Sequence, residues 1–286
     1  MNPAAVVEQS PEAPRSRIRL GVLGWASLAF VVLLALTAVF APWIAPHDPA
    51  AQSLGSSALP PDGTYWLGTD NLGRDITSRL IYGVRWAFLG PLAIAIGAGV
   101  LGTALGLLAG SAGGWIDNAT MRVIDLVYAI PPLLLAIVVV GVFGGGYTLA
   151  VAVIIVLAAP GDVRLVRSAV LAQRDLPYVQ AARVVGLGEP AIAVRHVLPN
   201  VAPTVVANVL LEFVGGLVAL SGLAFLGLGL AAGSTDWGLM LSENRSILDL
   251  NPYAAIAPVA LIMLTAVAVT ILGDRVFDLL TERAGK

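Results

Sequence analysis

The chain has 286 residues, of which 58% are hydrophobic and 12% charged, with a mean hydropathy of +0.87 and a formal charge of −2. Soluble domains carry roughly 25% charged residues, so about half that share over this length points to a bilayer as solvent. The absence of Cys excludes disulfides, thiolate metal sites and thiol catalysis. The two His, His47 and His196, are too few and too far apart for a metal site, and no basic run suggests nucleic acid.

The single Lys is Lys286, whereas a phosphate-binding P-loop needs a Lys inside a Gly-rich turn. ATP hydrolysis is therefore not expected of this chain. Gly97, Gly99 and Gly102 match a GxGxxG pattern, but they sit in an uncharged apolar stretch with no strand before it. Close helix packing is the better reading.

Taken in order, residues 1–19 form a polar tail ending in Arg15, Arg17 and Arg19. Residues 20–44 are uncharged and exceed the roughly 20 needed to cross a bilayer. They also exceed the apolar core of a cleavable signal, so they are expected to be a retained first span. Residues 45–85 form a loop punctuated by Pro46, Pro49, Pro60 and Pro61, whose last part, from Asn71 to Arg85, is expected to lie along the membrane surface. The second span is 86–111, where Gly102, Gly106 and Gly110 share one helix face and invite a close neighbour. The third span is 120–143, kinked at Pro131-Pro132. Gly144 to Gly146 make a tight turn into the fourth span, 147–168. Residues 169–196 are the largest hydrophilic segment between spans. The fifth span, 197–222, carries Glu212 in its interior; residues 223–249 form an outer segment; and 250–273 are the sixth span, before a charged tail at 274–286. Within the outer segment, 223–235 fits a continued helix, a re-entrant piece or an outer helix.

Six spans place both ends on one side. With the N-terminus in the cytoplasm, twelve of the sixteen Lys and Arg lie inside and four (Arg74, Arg79, Arg85, Arg245) outside. That split obeys the positive-inside rule, and the reverse orientation violates it.

The hydrophilic segment reads as a helix–turn–helix on the cytoplasmic side. Pro177 to Val185 fits a short helix in which Ala181 and Ala182 give a smooth small face. Gly186 and Gly188 allow a sharp or left-handed turn. Pro190 suits the first turn of the next helix, and Pro199 reopens the path into the membrane. Such a unit can dock in a groove on a partner.

This segment resembles the EAA motif of ABC importer permeases: Gln180-Ala181-Ala182, three residues, Gly186, nine residues, His196, Val197, Leu198-Pro199. Gln180 departs from the usual Glu and His196 from a usually apolar residue. The string from Arg195 to Asn200 is similar to the peptide-importer branch. So are Leu67 to Asp75, Ser78 to Gly83, Gly113 to Asp117, Met121 to Asp125, Ala129 to Leu133, Phe225 to Gly229, and Asp236-Trp237-Gly238. In order, over residues 20–280, they resemble the C-type subunit of dipeptide, oligopeptide and nickel importers.

The resemblance implies an all-α membrane protein of about six helices with the type I importer (MetI-like) permease fold, in the bacterial inner membrane. It implies alternating access driven by two P-loop ATPase subunits that bind the ATP and Mg, a homologous permease partner, and an extracytoplasmic substrate-binding protein. It assigns ATPase coupling to Gln180, Ala181, Ala182, Arg183, Gly186, Leu198 and Pro199.

Glu212 is the sharpest residue within the membrane, because an acid in a span faces a cavity or a partner. Substrate contact, pairing with the sister permease and a position near the headgroups all remain open for it. Asp125 is expected to pair locally with Arg122, Asp162, Arg164 and Arg167 to act as an interfacial anchor, and His196 to pack rather than ligate. An ion-gradient-driven secondary transporter is the rival reading. It usually brings inverted repeats and intramembrane ionisable chains, and neither is evident. A structural membrane protein without a transport path is the third.

Overall fold

A computed structural model describes residues 21–144 and 146–284; the expected tail at 1–19, Gly145, and Gly285 and Lys286 of the terminal tail lie outside them. The described residues are helical nearly throughout, as a backbone in lipid must be to satisfy its own polar groups. The helices are α1 (Gly21–Ile44), α2 (Ile76–Ala112), α3 (Gly114–Tyr128), α4 (Pro132–Phe143), α5 (Gly146–Arg174), α6 (Pro177–Val184), α7 (Glu189–Ile192), α8 (Leu198–Phe225), α9 (Trp237–Asn244) and α10 (Tyr253–Ala284). Five helices are long and apolar enough to cross a membrane, and α3 with α4, bent by 74°, make a sixth crossing if taken together.

Helix α2 is the axis of the bundle, packed along α5 on one side and α8 on another, with α1 and α10 closing the rest. Its glycines explain the tight fit to α5. A Cβ on Gly102 would sit 2.1 Å from Asp162 Cβ, and one on Gly106 or Gly110 would sit 2.8 Å from Val163 O or Val170 Cβ. Gly97 faces Ile155 and Gly99 faces Val209, so the GxGxxG match is a two-sided packing surface. Lipid is as apolar as a Leu side chain, so such close van der Waals contact holds helices together where burial gains little. Large side chains on the outside, such as Val22, Leu33 and Val39 of α1, are correspondingly exposed to the bilayer.

Several boundaries differ from the sequence-based expectation, at the start of α2 because charged residues there have partners and around α3–α4 and α7–α8 because of proline. The segment expected to lie on the surface does not extend to Arg85. Helix α2 begins at Ile76, where the Asp75 side chain caps it by accepting from the N–H groups of Thr77 and Ser78. Arg85 stays within the helix by donating from Nε to Ala38 O at 2.7 Å. Helix α5 runs on to Arg174, and α10 to Ala284 with Arg275 and Asp278 3.7 Å apart on its surface. The third span is two helices, because Pro131 and Pro132 break the chain outright rather than kink it. Pro199 does not open a new path. The chain is helical without interruption from α7 through a π turn at Ala193–Val197 into α8, and that turn relieves the i−4 clash and missing N–H that Pro199 brings. The Gly-rich stretch after α8 is neither a continued helix nor an outer one. It is irregular from Leu226 to Asp236, where the Asp236 side chain caps α9.

At one end of α2 the loop before it and the segment around α9 are knitted into a cap. Arg74 Nε donates to Asp70 Oδ2 at 2.6 Å, and Arg74 Nη2 donates to Glu243 Oε2 at 2.8 Å. Arg79 donates to the carbonyls of Gly233 and Ser234 at 3.2 and 3.0 Å and to Glu243 Oε2 at 3.3 Å. Arg74, Arg79 and Asp70 are almost wholly buried. Trp237 Nε1 donates to Leu80 O at 3.1 Å, and Asn251 Nδ2 serves the carbonyls of Leu59, Leu67 and Thr69 at 3.0–3.2 Å. Two of the four arginines expected on the outer side are therefore internal structure rather than surface charge.

Candidate functional site

The other end of α2 carries the segment that the motif picked out. Pro177 occupies the first turn of α6, where its missing N–H costs nothing. Val179 and Ala182, three residues apart, face inward. They pack with Leu107 of α2, Val166 and Val170 of α5, and Ile192, Val197 and Val201 beyond the turn. The opposite face is open: Gln180 and Ala181 are exposed, and Val184 and Val185 are 88% and 81% exposed.

The turn closes as a Schellman motif. Leu187 N–H donates to Ala182 O at 3.2 Å and Gly186 N–H to Arg183 O at 2.9 Å, with Gly186 at φ +87°. Gly188 has an ordinary φ of −69°, so only Gly186 needs the left-handed region. Arg183 clamps the turn by donating to both carboxylate oxygens of Glu189 at 2.7 and 3.3 Å. That hydrogen bond raises the Arg183 guanidinium further, so the clamp stays charged. The pair is partly exposed and fixes geometry more than it adds stability.

The expected coupling residues thus divide. Gln180, Ala181, Gly186 and Pro199 are exposed, whereas Ala182 is buried against the chain's own bundle and Leu198 is half-buried there. Ala182 packs inside the chain's own bundle while Ala181 is exposed, so the two alanines do not share one face. His196 lies in the π turn, where its carbonyl accepts from Asn200 Nδ2 at 2.6 Å.

Helix α3 is strapped to α5 by two ion pairs. Arg167 binds both carboxylate oxygens of Asp117, at 2.6 Å for Nη2, and Arg164 Nη2 donates to Asp125 Oδ1 at 2.7 Å. Asp125 therefore pairs across helices with Arg164 and not along α3 with Arg122. Asp117 was missed by the sequence reading, because 50 residues separate it from its partner and no local spacing marks the pair.

Beyond these straps a cavity of about 690 Å³ opens between α4, α5 and α8. Its walls are small and apolar, with Ala136, Ala158, Gly161, Gly215 and Ala219 among them. Among the described residues Glu212 is the one charged side chain that lines it. Beside Glu212 stands Asp162, buried, which accepts from Asn208 Nδ2 at 2.5 Å through Oδ1 and has no partner for Oδ2. Asp162 is hence not the interfacial anchor expected with Arg164 and Arg167; it sits where α2, α5 and α8 meet.

Comparison with known proteins follows the same lines. A family model described as binding-protein-dependent transport system inner membrane component matches residues 102–286. A second, the N-terminal TM domain of oligopeptide transport permease C, matches residues 21–61. A probable D,D-dipeptide transport system permease protein of Escherichia coli strain K12 is 36% identical over 91% of this chain and 87% of its own length. A glutathione transport system permease protein of Pectobacterium atrosepticum is 36% identical over 89% and 85%. A di/tripeptide transport system permease protein of Pseudomonas aeruginosa is 35% identical over 92% and 88%. Among solved structures, an inward-facing MetNI methionine ABC transporter chain aligns with 69% of this chain and 95% of its own, at 21% identity and a TM-score of 0.54, a likeness of fold.

Proposed function

The chain belongs to the family of binding-protein-dependent transport system inner membrane components, and from that premise we propose that it forms half of a peptide translocation pathway, with a homologous permease as the other half. It is a multi-pass inner-membrane permease subunit of an ABC importer, a system that works with ATPase and substrate-binding partners. On our reading two ATPase subunits hold the ATP and Mg, and they dock at the α6 end, which faces the cytoplasm. The Arg-rich composition of that end supports this orientation. The peptide substrate is supported by the relatives, whose names specify D,D-dipeptide, di/tripeptide and glutathione transport.

The observation that carries the coupling role is the split character of α6. One face is fixed in the bundle through Val179 and Ala182, and the other leaves Val184 and Val185 bare. A hydrophobic edge on a rigidly seated short helix suits a groove on a soluble partner. Contacts there that differ between open and closed ATPase states bias the arrangement of α2, α5 and α8, since a partner shifts an equilibrium only by its differential affinity.

Gly186→Trp tests this. No heavy atom lies within 4 Å of where a Gly186 Cβ would be, but at φ +87° any side chain strains the turn. Gly186→Ala, which carries the strain without the bulk, is therefore the control and should keep more uptake than Gly186→Trp. Gly186→Trp is expected to insert in the membrane and co-purify with the sister permease, yet lose ATP-driven uptake. Uptake at the wild-type rate overturns the coupling assignment. A wild-type chain that purifies alone and transports in vesicles without ATP makes an ion-gradient-driven transporter the correct reading.

A further inference from the structure

We infer that Glu212, backed by Asp162, is the point in the cavity that receives the primary ammonium group of the peptide in transit; this rests on the importer reading above. The cavity between α4, α5 and α8 has the volume of a small-solute site, which runs from about 300 to 1,000 Å³. Its walls are almost all Ala, Gly, Leu, Val and Ile, which take varied side chains without selecting among them. Against that background one carboxylate sets polarity.

The two arginines of α5 on the cavity's side are already paired. Arg164 lies 4.7 Å over the ring of Tyr128, which lines the same cavity, but its guanidinium is taken by Asp125 at 2.7 Å. Arg167 is taken by Asp117. Among the described residues Glu212 is paired with no cation, and the neighbouring Asp162 adds a second carboxyl close enough to share a proton with it, whose buried Oδ2 has no other donor in the chain. A carboxyl pair that shares one proton still keeps one negative charge, and that charge without a counter-ion at the edge of an open cavity fits a cationic ligand that comes and goes. An acid in a membrane helix needs such a partner. The free amino terminus of a short peptide supplies one, with a backbone small enough for the Gly and Ala walls.

The experiment uses the complete importer in membrane vesicles, with uptake of a radiolabelled dipeptide delivered by its binding protein. Glu212→Gln is expected to lower the uptake rate by about tenfold or more, the loss of one charge-assisted hydrogen bond, while Glu212→Asp restores most of it. Unchanged uptake in Glu212→Gln overturns the inference and leaves the importer reading intact. Loss of the co-purifying sister permease in that variant also overturns it, in favour of an ion pair between subunits. If the wild type itself shows no ATP-dependent uptake, the importer reading fails instead. A second measurement then still decides the site. Because the chain has no Cys, Ala219→Cys places a unique thiol of this chain on the cavity wall. Cationic methanethiosulfonate reagents should modify it faster than anionic ones, and Glu212→Gln in that background should abolish the preference. Equal rates with Glu212 present overturn the inference.

Discussion

The two ends of α2 solve opposite problems. They lie about 55 Å apart along a 37-residue helix. The cap end is closed on itself: Arg74, Arg79, Asp70 and Glu243 satisfy one another and nearby carbonyls, and the large side chains Trp237 and Met240 are buried. The α6 end is left unfinished, with its inner face packed and bare valines outside. A region whose charges are internally spent can be rigid but has little to offer a partner. A region that keeps apolar surface open is incomplete until something covers it. The comparison predicts that substitutions at the cap act on folding and those at the α6 edge act on coupling.

The largest effect is expected at the cap. Arg79→Met removes a wholly buried guanidinium, leaves the carbonyls of Gly233 and Ser234 without their donor, and leaves Asp70 and Glu243 with Arg74 as their one remaining cation. Breaking one side of a buried ion cluster costs about 3–5 kcal/mol. Thermal unfolding of the purified protein should show the lowest midpoint of any single variant, or no folded protein should be recovered. A midpoint near wild type would mean that the cap is not the closed structure described, and the contrast with the α6 end would collapse.

Next comes the axis joining the two ends. Gly102→Leu places a side chain where even a Cβ lies 2.1 Å from Asp162 Cβ. Helices α2 and α5 must separate, at a cost of about 1–3 kcal/mol or more, as for overpacked cores. The same change disturbs Asp162 and its bond to Asn208, so uptake should fall further than stability alone explains. Unfolding midpoints and uptake rates measured on one preparation separate the two losses.

This axis also marks how far the sequence could be read. The Gly102, Gly106, Gly110 repeat announced a close helix neighbour, and period alone carries that information. The long uncharged stretches announced spans, because hydropathy needs no knowledge of the fold. Charged residues misled at the edges. Arg79 and Arg85 looked like a surface segment, but their partners, Gly233, Glu243 and Ala38, are remote in sequence. The same reason hid Asp117 and sent Asp125 to the wrong arginine. In the candidate site, the turn at Gly186 was readable from its glycine, whereas the inward orientation of Ala182 depended on where α5 lies. Glu212 was visible as an acid in a span, but the cavity and the engagement of Arg164 elsewhere are properties of the packed bundle.

The smallest effect on folding is expected where the effect on function is large. Val184 and Val185 are 88% and 81% exposed, so Val184→Ser with Val185→Ser removes almost no internal contact. Surface substitutions of this kind change stability by about 0.5 kcal/mol or less, and unfolding midpoints should match wild type. The serines keep the turn, because the bonds from Leu187 and Gly186 to Ala182 and Arg183 are made by the backbone. What changes is the apolar edge offered to a partner. Co-purification of the ATPase subunits should weaken and solute-stimulated ATP hydrolysis should fall, while the sister permease still co-purifies. A lowered midpoint would mean that these valines are covered by this chain in the membrane, and that the α6 end is as self-contained as the cap. An unchanged midpoint with unchanged ATPase stimulation would place the docking edge elsewhere on the turn, at Gln180 and Ala181.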